Sequence, residues 1–359
     1  MKVYHGSHIK IDKIDLSKCE PNKRLISIDI ARAICIILVV IGHYIPDNSP
    51  DWYIIIHDVI YSFHMPLFMF VSGYVYWATR KPVKYKNFVW KKFQRLMIPY
   101  FFVSVVIIII KLLTESRLSV ENPVDFSSFY QMFYLPVAGA FLWFVFALFF
   151  VFLIIPFFNT RKHLLVLLLL SLVLYFIPVS FPETFCLAQF KVNLLYFVLG
   201  CVFFEWVSIR QFFDKTHFLI ALCAFAGMYL LKPYIDVITV KKIFMICIAF
   251  AGIVFISNLS KQIELKTVFV KKILLSVSVS SYTVYLFHTT FQGFAKAVIL
   301  KLPPSLINLN NQLVFVFVVL IIVLTGVIAP IILHKIVERY SRLFSYLIGT
   351  KFITPKIKN

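Results

Sequence analysis

Apolar runs long enough to cross a bilayer recur from one end of this chain to the other, and that pattern leaves few folds open. They fall near residues 26–44, 57–78, 96–114, 139–158, 164–178, 192–209, 217–233, 243–259, 273–290 and 312–334. A hydrocarbon core about 30 Å thick needs roughly 20 apolar residues in a helix. Stretches such as Phe141–Phe158 and Leu164–Ile177 do not alternate polar with apolar, as the strands of a membrane barrel must. With 61% hydrophobic and 14% charged residues, the composition lies far from that of soluble globular chains. The expected fold is all-α, a polytopic membrane bundle of about ten transmembrane helices. The fifth run is short, and the second carries His57, Asp58 and His64, so only its latter half is plainly lipid-compatible.

A net charge of +20 would suit nucleic acid, but the positions of the charges argue against that partner. Lys and Arg gather in the N-terminal stretch, in 80–95, 161–162, 210–215 and 261–272, and in the tail from Lys335. With ten crossings these segments share one side and hold roughly 27 of the 36 cations, the positive-inside pattern. Both termini are then expected in the cytoplasm, with the protein integral to the plasma or inner membrane and surrounded by its lipids. The domain organisation predicted is a cytoplasmic segment 1–25, a membrane domain 26–334 and a basic cytoplasmic tail 335–359. In that tail Ile336, Tyr340, Phe344 and Leu347 alternate with Lys335, Arg339 and Arg342, suggesting an amphipathic helix on the inner surface. A polar stretch precedes the first apolar run, so no cleavable signal peptide is expected. The six cysteines show no metal-like spacing, so neither a disulfide framework nor a metal site is expected.

Charged and imidazole groups inside apolar runs are costly and mark functional positions. Arg32 and His43 lie eleven residues apart in the first run, about 16 Å of helical rise, on one face at different depths. Asp29 can pair with Arg32 across one turn. These residues alone leave two readings open: a neutralised pair with an interfacial histidine, or a site in which Arg32 holds an anion and His43 acts as a base. The second run contains His64 two residues before Pro66, then Ser72-Gly73, which permits close helix approach. Lys92 and Arg95 share a helical face at the inner mouth of the third run, where they suit either phosphates or lipid headgroups. Trp143 and His288 lie at the opposite ends of their runs, where interfacial roles compete with substrate contact.

Taken in order, these motifs resemble the acyltransferase-3 family of integral membrane acyltransferases. The first match is D-x-x-R-x10-H, from Asp29 and Arg32 to His43. The second is F-H-M-P-L-F-x-F-x-S-G over Phe63–Gly73, closest to the branch that resembles fucose 4-O-acetylases. An R-x-x-R-x-x-x-P element is matched by Lys92, Arg95 and Pro99, with lysine in place of the first arginine. Leu142-Trp143-Phe144 and Ser281 through Tyr285 to His288 match more weakly, and the likeness runs from about Arg24 to Glu338. It implies cytoplasmic acetyl-CoA as donor, a glycan or lipid-linked sugar as acceptor, and no metal. In those terms His43, Arg32 and Asp29 are the catalytic group. Arg32, Lys92, Arg95 and Ser72 would bind the cofactor, and His64, Trp143 and His288 the substrate. The leading expectation is an O-acetyltransferase of a cell-surface polysaccharide or its lipid-linked precursor. A flippase for a lipid-linked sugar and an enzyme using another acyl group, such as succinyl, are the alternatives.

Overall fold

The computed structural model describes residues 25–46, 49–115, 123–299, 301–303, 309 and 311–353. The N-terminal segment before Leu25, Cys19 with it, and the end of the basic tail lie outside the described residues. Among those described, the regular structure is helical throughout, with no strand. The chain opens with α1 (Ile26–Gly42), α2 (Asp51–Tyr61), α3 (His64–Thr79) and α4 (Tyr85–Thr114). Then come α5 (Ser128–Gln131), α6 (Trp143–Ile154), α7 (Arg161–Phe176), α8 (Leu187–Glu205), α9 (Val207–Asp214) and α10 (Phe218–Leu231). The last are α11 (Ile238–Lys266), α12 (Val268–Ile299), α13 (Gln312–Tyr340) and α14 (Arg342–Leu347). Seven helical segments among the described residues are long and apolar enough to cross a membrane, or eight if the bent pair α9–α10 is one span. Helices of that number, length and apolar character are those of a multi-pass membrane protein.

Each predicted apolar run coincides with a helix, and α4, α11, α12 and α13 extend well beyond their runs. The second run becomes α2 and α3, one span of 29 residues interrupted at Ser62-Phe63. Pro66 falls in the first turn of α3, where no intrahelical N–H is needed. The seventh run departs most from expectation, because α9 meets the following helix at 89°. An Asp214–Lys261 ion pair ties this bend to α11, and Asn258 Nδ2 donates to the Phe213 carbonyl at 3.1 Å. Side chains from elsewhere in the fold thus hold the corner, which periodicity along the run does not register. Helix α13 likewise continues past residue 334 to Tyr340, and α14 folds back on α13 and α4 with Ser345 and Ile348 buried.

Helix α1 packs against α3, α11, α12 and α13, as a central helix should. Its Ile30, Ala33, Cys35, Ile36 and Val40 are fully enclosed. Helices α3 and α8 cross closely because each presents a glycine to the other's backbone. A Cβ on Gly73 would stand 1.9 Å from the Phe197 carbonyl oxygen, and one on Gly200 2.0 Å from that of Phe70. Cys201 Sγ donates to the Gly73 carbonyl at 3.3 Å across the same crossing. Among the described residues Cys35, Cys186, Cys201, Cys223 and Cys247 are all free thiols.

At one end of this crossing the Glu205 carboxylate gathers three helices. It accepts from Trp77 Nε1 at 2.9 Å and from Arg161 Nε at 2.5 Å, with Arg80 3.8 Å away. The Arg80 guanidinium also lies over the Trp77 ring, 3.6 Å from its centroid. Removing the carboxylate takes one acceptor from Arg161 and the Trp77 indole N–H and a neighbouring negative charge from Arg80. Glu205→Ala should therefore cost about 1–3 kcal/mol of stability. Thermal unfolding in detergent checks this: an unchanged midpoint would show that the network holds nothing together.

Candidate active site

Helix α1 carries the groups of the first motif at its two ends. Near its start, Arg32 Nη1 lies 3.3 Å from Asp29 Oδ1, so the expected one-turn pair is formed. The Ser278 hydroxyl of α12 donates to the same carboxylate at 3.4 Å. All of His43, Asp29 and Arg32 are half-buried, enclosed by helices yet not sealed.

His43 follows the last turn of α1, its N–H bonded to the Val39 carbonyl at 3.0 Å. Its ring centroid lies 5.1 Å from that of His288, 5.9 Å from Phe141 and 6.2 Å from Tyr61. His288, on α12, is completely buried. Its Nδ1 donates to the carbonyls of Tyr285 (2.8 Å) and Val284 (3.2 Å). A carbonyl only accepts, so the proton sits on Nδ1 and Nε2 presents a lone pair. That Nε2 is buried and has no hydrogen-bond partner among the described residues. A buried acceptor left unmatched costs about 1–3 kcal/mol, and native structures keep few of them.

His64 joins the same end of the bundle. Its Nδ1 donates to the Ile60 carbonyl at 2.9 Å across the α2–α3 break, which fixes its tautomer as well. The Tyr61 ring lies 4.7 Å from His64 and 4.0 Å from His57, so it links both to His43. Cys35 of α1 donates to the His64 carbonyl at 3.1 Å and secures the start of α3 against α1. Phe141 closes another side, 5.0 Å from the His288 ring, its carbonyl accepting the Tyr285 hydroxyl. Trp143, two residues on, packs on Phe144 and lines a separate cavity.

The remaining predicted residues lie apart from this cluster. Lys92 Nζ rests 3.6 Å from the Phe152 ring centroid and 5.3 Å from that of Phe88, on aromatic faces that stabilise a cation. Arg95 is exposed. The Tyr282 hydroxyl donates to the Leu96 carbonyl at 3.1 Å, one turn beyond Ser278 on α12. Through those two contacts α12 ties the Asp29 end of α1 to the stretch of α4 that carries Arg95. Ser72 donates to the Phe68 carbonyl of its own helix at 2.8 Å and keeps its hydroxyl on α3.

Sequence reasoning passed over several participants. Tyr61 and Phe141 looked like ordinary apolar positions, and only their neighbours across the bundle give them meaning. Gln292 donates to the Val40 carbonyl at 2.8 Å, and its place four residues after His288, on the same helical face, was a usable signal. Thr283 Oγ1 lies 2.9 Å from His334 Nδ1, whose Nε2 is 3.7 Å from Glu338, a buried link between α12 and α13 that the H-x-x-x-E spacing in α13 hinted at.

The model of a family described as an acyltransferase domain, acyltransferase 3, matches residues 25–333. The chain belongs to the acyltransferase-3 family. The matched range takes in Asp29, Arg32, His43, His64, Lys92, Arg95, Trp143 and His288, and stops one residue short of His334. This acyltransferase-3 chain is similar to nodulation protein NolL of Mesorhizobium japonicum, at 31% identity over 156 residues, 40% of this chain and 38% of that protein. It is also similar to nodulation protein NolL of Sinorhizobium fredii, at 36% identity over 86 residues, 23% of this chain and 24% of the relative. The similarity thus spans well under half the length of either relative. No solved structure matches it.

Proposed function

We propose that this acyltransferase-3 chain is a membrane O-acetyltransferase. It moves an acetyl group from cytoplasmic acetyl-CoA to a hydroxyl of a cell-surface polysaccharide or its lipid-linked sugar precursor. The observation that carries the reading is the buried lone pair of His288 Nε2 beside His43. A neighbouring hydroxyl of the sugar, donating to Nε2, would satisfy that acceptor and hold the reacting hydroxyl, its own proton free, next to the second imidazole. His43 then takes the hydroxyl proton as the oxygen attacks the thioester carbon, the C–S bond breaks, and CoA leaves as the thiol carrying that proton.

Cations at the opposite end of α1 support a phosphate-rich donor. Arg95 is exposed and suits bidentate phosphate contact, while Lys92 on its aromatic platform supplies a compact charge. Arg32, held by Asp29, stands between that end and the histidines and would steady the pantetheine arm. Helices α1 and α7, of 17 and 16 residues, would add two crossings to the eight other spans. An even total of ten keeps both termini on the cytoplasmic side of the inner membrane, where the basic segments favour them.

Membranes containing the protein, incubated with radiolabelled acetyl-CoA and the host's own glycan, should pass label to the glycan and release CoA thiol. Arg32→Ala should reduce that label about tenfold, the effect of losing roughly 1.4 kcal/mol from one charge-assisted contact. Absence of both labelled glycan and released thiol in wild-type membranes overturns the reading. Preferential use of labelled succinyl-CoA overturns the acetyl assignment.

A further inference from the structure

A cavity of about 820 Å³ is lined in part by Ala140 and Trp143, which flank the Phe141 that packs on the histidine pair. That volume falls within the roughly 300–1,000 Å³ typical of small-molecule sites. Residues 140–143 form the partition: Ala140 and Trp143 face the cavity, while Phe141 between them packs on His43 and His288. The cavity opens where α4 ends and α6 and α8 begin, the same end of the bundle as His43.

Its polar lining is unlike the rest of the chain. Glu115, Asp125 and Glu183 contribute carboxylates and Gln131 and Gln189 amides, and no Lys or Arg is among the described lining residues. In a protein of net charge +20, with 16 acidic side chains in all, three exposed carboxylates give the described lining of this cavity a negative charge. Asp125, Gln131, Glu183 and Gln189 are also held in place. Asp125 Oδ1 accepts from the Ser127 hydroxyl at 2.6 Å, the Ser128 amide at 3.2 Å and the Ser128 hydroxyl at 3.3 Å. Those bonds, the Ser127 hydroxyl first, keep its carboxyl below the usual carboxylate range, so it stays ionised. Gln189 Nε2 donates to Glu183 at 2.8 Å, which leaves Gln189 Oε1 buried with no partner among the described residues.

We infer that this cavity is the acceptor-sugar site, and that its three carboxylates select neutral or cationic sugars over uronates. The inference rests on the acyl-transfer reading above and adds the substrate class. Carboxylates and amides pair with vicinal hydroxyls, Gln189 Oε1 takes a hydroxyl proton donor, and Trp143 offers an apolar face to the C–H side of a sugar ring. An anionic sugar would meet three like charges with no Lys or Arg among the described lining residues, which discriminates against it by repulsion. The sugar's reactive hydroxyl would pass the Phe141 partition to reach the histidines.

The test measures saccharide binding separately from transfer, on the full-length protein in lipid nanodiscs. The probes are three trisaccharides of equal size, one of neutral hexoses, one bearing a glucosamine and one bearing a glucuronate. The neutral and glucosamine probes should bind at least about tenfold more tightly than the glucuronate one, equivalent to roughly 1.4 kcal/mol. Glu183→Gln and Trp143→Ala should each weaken the neutral probe by a similar factor and raise acceptor KM, while the KM for acetyl-CoA stays unchanged. Glu183→Gln is isosteric, so a folding failure of Trp143→Ala alone does not shield the inference. Equal binding of the glucuronate probe, or unchanged acceptor KM in Glu183→Gln, overturns it. Selective saccharide binding with no acetyl transfer supports the cavity and defeats the acyl-transfer reading instead.

Discussion

Acyl transfer by a His43→Ala variant is expected to fall by about two to four orders of magnitude, the contribution of a positioned general base. The variant should remain folded, because His43 follows the last turn of α1 and only its backbone N–H takes part in ending the helix. Its partner separates positioning from proton transfer. His288 offers a lone pair from Nε2 because both carbonyls it meets occupy Nδ1. His288→Ala should therefore lose most of the activity, while His288→Gln, whose Oε1 restores an acceptor near that position, should recover part of it. Single-turnover transfer of labelled acetyl to glycan measures both variants. A His43→Ala protein as active as wild type would remove this residue from the chemistry.

Gly73→Val is expected to be the most damaging substitution for the fold, by on the order of 3 kcal/mol. The Cβ would stand 1.9 Å from the Phe197 carbonyl oxygen, and a backbone atom cannot turn aside as a flexible side chain can. Helices α3 and α8 would have to separate, and with them the packing around Phe70, Phe197 and Phe203. Gly227 in α10 is the control, since a Cβ there meets nothing within 4 Å. Gly227→Ala should raise stability by about 0.5–1 kcal/mol, as glycine in a helix interior is unfavourable. Thermal unfolding midpoints in detergent for both variants decide the matter. Equal midpoints for Gly73→Val and wild type would mean the crossing tolerates separation.

The helical character of the chain was legible because hydropathy acts locally: a run of about 20 apolar residues has few alternatives to a buried or membrane helix. The Asp29–Arg32 pair was legible for the same reason, since residues one turn apart on a helix are neighbours whatever surrounds them. The irregularity at His64 could be read from Pro66, which belongs in a first turn. The bend between α9 and α10 could not, because the contacts that hold it come from Asn258 and Lys261 on α11. Trp143 reads as an interfacial aromatic in sequence, and its place on a cavity wall depends on loops that end beside Asp125 and Glu183. The sequence-based grouping of Lys92 with Arg95 is true of their helix, yet one rests on aromatic rings and the other is exposed.

By itself, the order of residues determined a helical membrane chain, a first helix with an ion pair at one end and an imidazole at the other, and motifs specific to a family of acyltransferases. Those properties are set by neighbours within one or two helical turns. Tertiary structure alone decided that His43 meets His288, 245 positions later in the chain. It also decided that the Nε2 lone pair is buried unmatched and that an acidic cavity is lined by the residues flanking Phe141. The reason is physical: contacts between α1, α6 and α12 depend on how side chains interlock across helices, and no periodicity along a single helix encodes its partner.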